Sequence, residues 1–159
     1  MQLVYGTSKL AKIRMMRQIL KHTDLEILSP EDIGAANIDV DESGNHPLSK
    51  AKIKALAWYR LLQGPVFSCD SGLYIDEVPE VLQPRVHVRM VNGRRLTDAE
   101  MTSYYASLAE KFGGRVTARY KNAICLVMGD NDLADQREDY LIHYQGFLAF
   151  FNRVLRTSE

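Results

Sequence analysis

Cysteine is nearly missing from this chain. Cys69 and Cys125 are the only two among 159 residues, and they lack CxxC spacing. Two cysteines cannot build a disulfide framework, so both read as reduced thiols. Net charge is missing as well: 20 Lys and Arg residues balance 20 Asp and Glu residues. That balance removes the bulk electrostatic case for nucleic-acid binding, and any basic function must be local. No apolar run approaches the roughly 20 residues that cross a bilayer, so no membrane association is expected. The opening Met1–Gly6 has no basic segment ahead of a long apolar stretch, so no secretory signal is expected and the cytoplasm is the expected compartment. Internal repeats, low-complexity tracts and dividing linkers are also missing, which leaves one domain over residues 1–159.

What is present alternates between strand and helix patterns. Gln2 to Gly6 is a short strand candidate, and from Thr7 an apolar stripe of Ile13, Met16, Ile19 and Leu20 reads as a helix. Leu25 to Leu28 is a second strand, followed by the long polar stretch SPEDIGAANIDVDESGNHP from Ser29 to Pro47. A loop of that length inside a compact domain is usually functional. Pro47 suits a helical first turn, and Leu48 to Gln63 carries Ala51, Ala55, Trp58 and Leu62 on one face before Gly64-Pro65 ends it. Val66 to Ser68 reads as a strand, Cys69-Asp70-Ser71-Gly72 as the segment that follows it, and Leu73 to Ile75 as a second apolar run. Val86 to Val91 alternates like a strand before an Asn92-Gly93 turn. Thr97-Asp98-Ala99-Glu100 is a capping-box pattern opening a helix to about Phe112, which Gly113-Gly114 closes. Arg115 to Met128 is a long strand candidate, and Tyr140 to Phe151 its antiparallel partner. The order of elements predicts an α/β fold with a mixed sheet.

The chemistry-bearing residues are few. Lys9 and Lys12 fall in the first turn of a helix, where a cation opposes the helix dipole and an anion would be welcome. The glycine spacing of a Walker A loop is missing. Asp39, Asp41 and Glu42 cluster in the long loop, and Lys50 and Lys54 share a face of the following helix. Asp70 is expected at the C-terminal end of a strand, the edge where α/β sheets place ligands. A turn cap explains such an Asp equally well. Taken together, acids at 42 and 70 with lysines at 9, 12 and 54 suit Mg²⁺ and a polyphosphate, because Mg²⁺ takes oxygen ligands and phosphates take cations.

These motifs resemble the inosine/xanthosine triphosphate pyrophosphatase family. Thr7-Ser8-Lys9-Leu10-Ala11-Lys12 matches the family's T-x-N-x-x-K, with Lys9 in place of Asn. Glu42-Ser43-Gly44 matches its Glu-Thr-Gly loop and Lys54-Ala55 its helical lysine. From that lysine the register runs without a gap to Cys69-Asp70-Ser71-Gly72-Leu73, the counterpart of D-D-S-G-L. Gln83-Pro84-Arg85-Val86-His87 resembles the P-G-x-x-S-A-R segment, and Ala118-Arg119-Tyr120 to Val127 the central hairpin strand. The resemblance implies an elongated mixed sheet flanked by helices, with a cleft between two lobes, in a homodimer. It implies Mg²⁺-dependent hydrolysis of deaminated purine nucleoside triphosphates to monophosphate and pyrophosphate. Carried over by position, Glu42 and Asp70 would hold Mg²⁺, and Asp70 would also activate water. Thr7, Lys9, Lys12, Lys54, Ser71 and Gly72 would surround the phosphates.

Besides Lys9, this chain departs from the family pattern at three further places. Cys69 stands where the family has the first acid of D-D-S-G, and Ser49-Lys50-Ala51 stands for E-N-A. Neither the F-G-Y-D-P loop nor the Ser-His-Arg that grips the purine occurs up to Glu159, so base selection does not carry over. Two alternatives to an enzyme stand beside it: a nucleotide-binding or protein-binding member of the same fold, and an α/β domain whose apolar tail Phe147–Phe151 forms an interface.

Overall fold

Strand β1 (Gln2–Tyr5) buries Leu3 and Tyr5 on one side and leads into helix α1 (Leu10–Leu20). The computed structural model describes residues 1–35, 38–40, 44–130 and 141–142. The helix starts later than the apolar pattern implies because Thr7 holds the preceding turn: its Oγ1 accepts from Lys9 N at 3.3 Å, leaving Lys9 extended at the N-cap. Ile13, Met16 and Leu20 are the buried stripe of α1. Strand β2 (Glu26–Leu28) lies parallel to β1 and is followed by a short 3₁₀ turn, Glu31–Ile33.

Helix α2 (Pro47–Leu62) begins at its proline as expected, and ends where Gln63 turns left-handed at φ 51°. Its buried face carries Ala51, Ala55, Trp58 and Tyr59. Gly6 is what lets this helix close on the sheet. A Cβ there would stand 2.5 Å from Trp58 Cδ1 and 2.6 Å from Ser68 Oγ.

Strand β3 (Val66–Ile75) corrects the sequence reading: the expected strand, turn and second apolar run are one continuous ten-residue strand. The interruption disappears because strand β6 (Ala118–Val127) pairs antiparallel with all ten residues, from Val66↔Val127 to Ile75↔Ala118. Cross-strand pairing thus overrides the local turn signal of Asp-Ser-Gly. A second correction falls between them. Of the expected strand 86–91, Met90 and Val91 alone form β4, which pairs with β5 (Arg94–Arg95) around the Asn92-Gly93 turn. Helix α3 (Asp98–Lys111) has its full capping box, with Thr97 Oγ1 accepting from Glu100 N and the Glu100 carboxylate accepting from Thr97 N.

Strand β7 (Leu141–Ile142) pairs antiparallel with β6, giving the order β2-β1-β3-β6-β7. The remainder of the expected partner strand and the tail Phe147–Phe151 lie outside the described residues. The sheet is mixed and flanked by helices, the α/β class expected.

Strand alternation divides the core in two. Leu3, Tyr5, Phe67, Cys69 and Ile124 pack with α1 on one face, and Val66 and Val127 pack with Ala55, Trp58 and Tyr59 of α2 on the other. Each fully buried large apolar side chain contributes about 1.5–3 kcal/mol. A third cluster joins Ile75 and Val78 to Leu108 of α3.

One edge of β3 decides where function can sit. β1 pairs with it only at Val66 and Phe67 and then ends, so β3 runs on without that neighbour. Its unpaired backbone groups find other partners. Leu73 exchanges both backbone hydrogen bonds with Arg85, and the Gln83 side chain accepts from Ile75 N at 2.9 Å and donates to Ile75 O at 2.6 Å.

Candidate functional site

The stretch of β3 just past the end of β1 holds a largely covered ion pair, whereas the other pairs of the described residues are more exposed. Asp70 lies three positions beyond Phe67, the last residue paired with β1, on the side facing α2. Lys54, on α2, donates from Nζ to Asp70 Oδ2 at 2.8 Å, with both side chains largely covered. Asp70 Oδ1 accepts from Ser71 N at 2.8 Å. Lys12 comes from α1, across the sheet, and its Nζ donates to Cys69 O at 3.2 Å, one residue from the carboxylate. Two helices on opposite faces therefore deliver an ammonium group each to the same open strand edge.

The electrostatics follow from that placement. Burial by itself pushes the Asp70 carboxyl up, but the Lys54 hydrogen bond and charge, the Lys12 charge and the Ser71 N–H together outweigh it. The carboxyl ends below the usual carboxylate range. Lys12 goes the other way from its ordinary value: burial lowers it most, and the nearby Lys9 and Lys54 charges lower it further, against the pull of Asp70. An anion placed between the lysines would reverse that strain.

The remaining sequence candidates divide. Ser71 donates from Oγ to Asn122 Oδ1 at 2.6 Å across the β3–β6 pair, so it is braced beside Asp70. Thr7 caps the turn before α1, and Lys9 is exposed there. Gly72 has a packing reason of its own, since a Cβ would stand 3.0 Å from the Arg85 backbone carbon. Glu42 lies outside the described residues. Cys69, at the position of a family acid, faces away from Asp70 and is buried under α1 in one cluster with Tyr5. Burial pushes that thiol up to about 12.

Two residues of the site were missed in the sequence. Asn122 is a buried amide immediately before the apolar run Ala123–Met128, and that contrast was the available signal. Gly6 closes the joint between β1, α2 and β3 and carries no pattern that marks it. Asn45 Oδ1 lies 2.9 Å from His87 Nε2, which ties the end of the long loop to the 83–89 segment.

Among the described residues, no three His, Cys, Asp or Glu side chains gather as a ready-made metal cage. The donor set is one carboxylate held ionised between two ammonium groups. It fits a Mg²⁺ ion that arrives with phosphate oxygens, since Mg²⁺ usually takes one or two carboxylates plus substrate phosphates and water.

A carboxylate flanked by lysines at a strand edge of a mixed α/β sheet defines a class of anion-handling sites, and comparison with known proteins narrows it. The chain belongs to the Ham1 family, whose model matches residues 3–143. It is 28% identical over 138 residues to a dITP/XTP pyrophosphatase of Rhodopseudomonas palustris, covering 84% of this chain and 64% of that protein. It is 32% identical over 78 residues to a dITP/XTP pyrophosphatase of Aquifex aeolicus, covering 49% of this chain and 37% of that protein. The chain thus spans less than two thirds of the length of these relatives. A HAM1 protein from Coxiella burnetii has a similar fold, with a TM-score of 0.66 at 22% identity over 83% of this chain and 66% of the other. The Staphylococcus aureus Ham1 protein gives 0.65 at 14% identity, with both chains covered in full.

Proposed function

We propose that this protein is a Mg²⁺-dependent nucleoside triphosphate pyrophosphatase acting on non-canonical purine nucleotides. The observation that carries the reading is Asp70, held ionised by Lys54 and flanked by Lys12 at the open edge of β3. The relatives named dITP/XTP pyrophosphatase support the substrate class. Hydrolysis breaks the α–β phosphoanhydride bond and yields a monophosphate and pyrophosphate.

In this reading Lys12 and Lys54 offset the charge of the phosphates, with Thr7, Lys9, Ser71 and Gly72 around them. Asp70 and Glu42 are the oxygen ligands for the metal. When bound, Mg²⁺ supplies charge neutralisation of the phosphate oxygens. Asp70 as it rests is a good ligand and a weak proton acceptor, because its carboxyl lies below the usual range. When a phosphate draws Lys54 away, the carboxyl loses its principal stabilising partner and becomes more basic. Asp70 is also the residue assigned to activate water. Asn122 keeps Ser71 in place beside it. We include a homodimer and a cytoplasmic location in the proposal. Among the described residues no helix is long and apolar enough to cross a membrane.

The test is pyrophosphate release from ITP, XTP, dITP, ATP and GTP with Mg²⁺, comparing wild type with Asp70→Asn. Release from the deaminated purines that collapses in the variant is the expected result. No release from any of the five by folded wild-type protein would sink the enzymatic reading. Sedimentation of the purified chain checks the dimer.

A further inference from the structure

Beyond Asp70, the face of the sheet under α2 carries a cation to which no role has been given. Lys121 of β6 pairs with Gly72 of β3, and residues directly opposite on two strands share a face, so Lys121 lies on the same side as Asp70 and Tyr74. Its Nζ stands 4.2 Å from the centre of the Tyr74 ring. That ring folds back along the strand toward Asp70, because its Cε2 would lie 3.0 Å from a Cβ on Gly72. The missing side chain of Gly72 makes room for the ring, and the ring carries the ammonium. Neighbouring cations are engaged differently: Lys54 pairs with Asp70, Arg85 with Glu80 and Arg119 with Asp76. Lys121 rests on a neutral ring instead, so among the described residues no carboxylate cancels its charge.

We propose that Lys121 is a specificity-determining residue: it holds the third phosphoryl group of a bound chain and so favours a triphosphate over a diphosphate. The proposal rests on the reading of Asp70, Lys54 and Lys12 as a polyphosphate site. Three ammonium groups then stand in series along β3, with Lys12 at the Cys69 carbonyl, Lys54 at the Asp70 carboxylate and Lys121 above the ring that covers Gly72. From residue 69 to residue 72 a strand advances about 10 Å, which suits a row of phosphoryl groups better than a single one. The hold on Lys121 points the same way. A ring attracts an ammonium through its quadrupole, whereas a phosphate offers full negative charge and short charge-assisted hydrogen bonds, so the ammonium moves from ring to phosphate when one arrives. A cation already cancelled by a carboxylate would first have to break that pair. A diphosphate is met by Lys12 and Lys54 and leaves Lys121 on its ring.

Calorimetry with Mg²⁺ on wild type and Lys121→Gln tests the assignment, with inorganic tripolyphosphate and inorganic pyrophosphate as the two ligands. Wild type is expected to bind tripolyphosphate more tightly. Removing the charge in Lys121→Gln is expected to weaken tripolyphosphate about tenfold and to leave pyrophosphate unchanged. A second measurement needs no change at Lys121. The ring resonances of Tyr74 in wild type, assigned from their loss in Tyr74→Leu, should shift with tripolyphosphate and stay in place with pyrophosphate, because the longer chain alone draws the ammonium away. This decides the matter should Lys121→Gln misfold. No preference for tripolyphosphate in wild type, no loss or an equal loss for both ligands in folded Lys121→Gln, or ring resonances that ignore tripolyphosphate would each overturn the role of Lys121 while leaving the phosphate site standing. If folded wild type binds neither ligand, the phosphate site and the role of Lys121 fall together.

Discussion

Cys69 and Asp70 are joined by one peptide bond and lie in different media. Under α1, Cys69 and Tyr5 are buried among Leu3, Phe67 and Ile124, and burial drives both groups toward their neutral forms. Under α2, burial is again the largest influence on Asp70, yet there it is overturned. The difference is Lys54, which reaches the carboxylate at 2.8 Å from the helix above it. Depth therefore does not decide which residue of β3 carries charge. The face does, through the side chain that the covering helix brings to it.

The strongest way to break this contrast is to remove the charge on the α2 face. Asp70→Asn should lower pyrophosphate release about a hundredfold or more, read as steady-state turnover, and an unchanged rate would strip Asp70 of its role. Placing a charge on the dry face is the converse. Cys69→Asp puts an acid where the family resemblance expects one, and should cost about 3 kcal/mol of stability in urea unfolding. Stability equal to wild type would mean that Lys12 of α1, already on the Cys69 carbonyl, or water also reaches the new carboxylate.

Gly6→Ala tests the joint that holds the two faces in register. With Trp58 and Ser68 both inside 3 Å of the new Cβ, it should lose about 1–3 kcal/mol by the same measurement. The smallest effect is in the pH dependence. Asp70 titrates below its unfolded value of about 3.9, so its contribution is fully present above that pH. The contribution is lost as pH falls through the folded value. Lys12 also titrates below its unfolded value, so the ligand-free protein gains stability as pH rises through the folded value toward about 10.4. Denaturation midpoints across pH should show both limbs, and Asp70→Asn should flatten the acid one.

The sequence was most readable where local chemistry rules. Pro47 at the start of α2, the Thr97 box at α3 and the Asn92-Gly93 hairpin each depend on residues within a few positions of one another. It misled where distant pairing rules. Asp-Ser-Gly carries every mark of a turn, and the partner that straightens it, Asn122 to Ala123, lies about fifty positions away. Lys54 and Asp70 could be placed in one site because the family register runs without a gap from one to the other, and the structure joins them at 2.8 Å. Lys12 joins them in the sequence through the grouped charges and the family resemblance, while its approach from the other face goes unstated, since nothing local to Lys12 says where β1 stops relative to β3. Asn122 escaped for a related reason: its importance lies in the residue across from it.

The side chains that gather at this edge also act as stoppers for an incomplete sheet. Lys12 takes the carbonyl of Cys69, Asp70 the amide of Ser71, and the 83–85 segment the amides of Leu73 and Ile75. A bare edge of that length invites another strand to add to it. Any ligand that pulls Lys12 and Asp70 away uncovers the first two groups and leaves the last two closed. Amide hydrogen exchange at Ser71, set against Leu73 and Ile75 on the same strand, is therefore a built-in gauge of whether the edge is guarding itself or holding a guest.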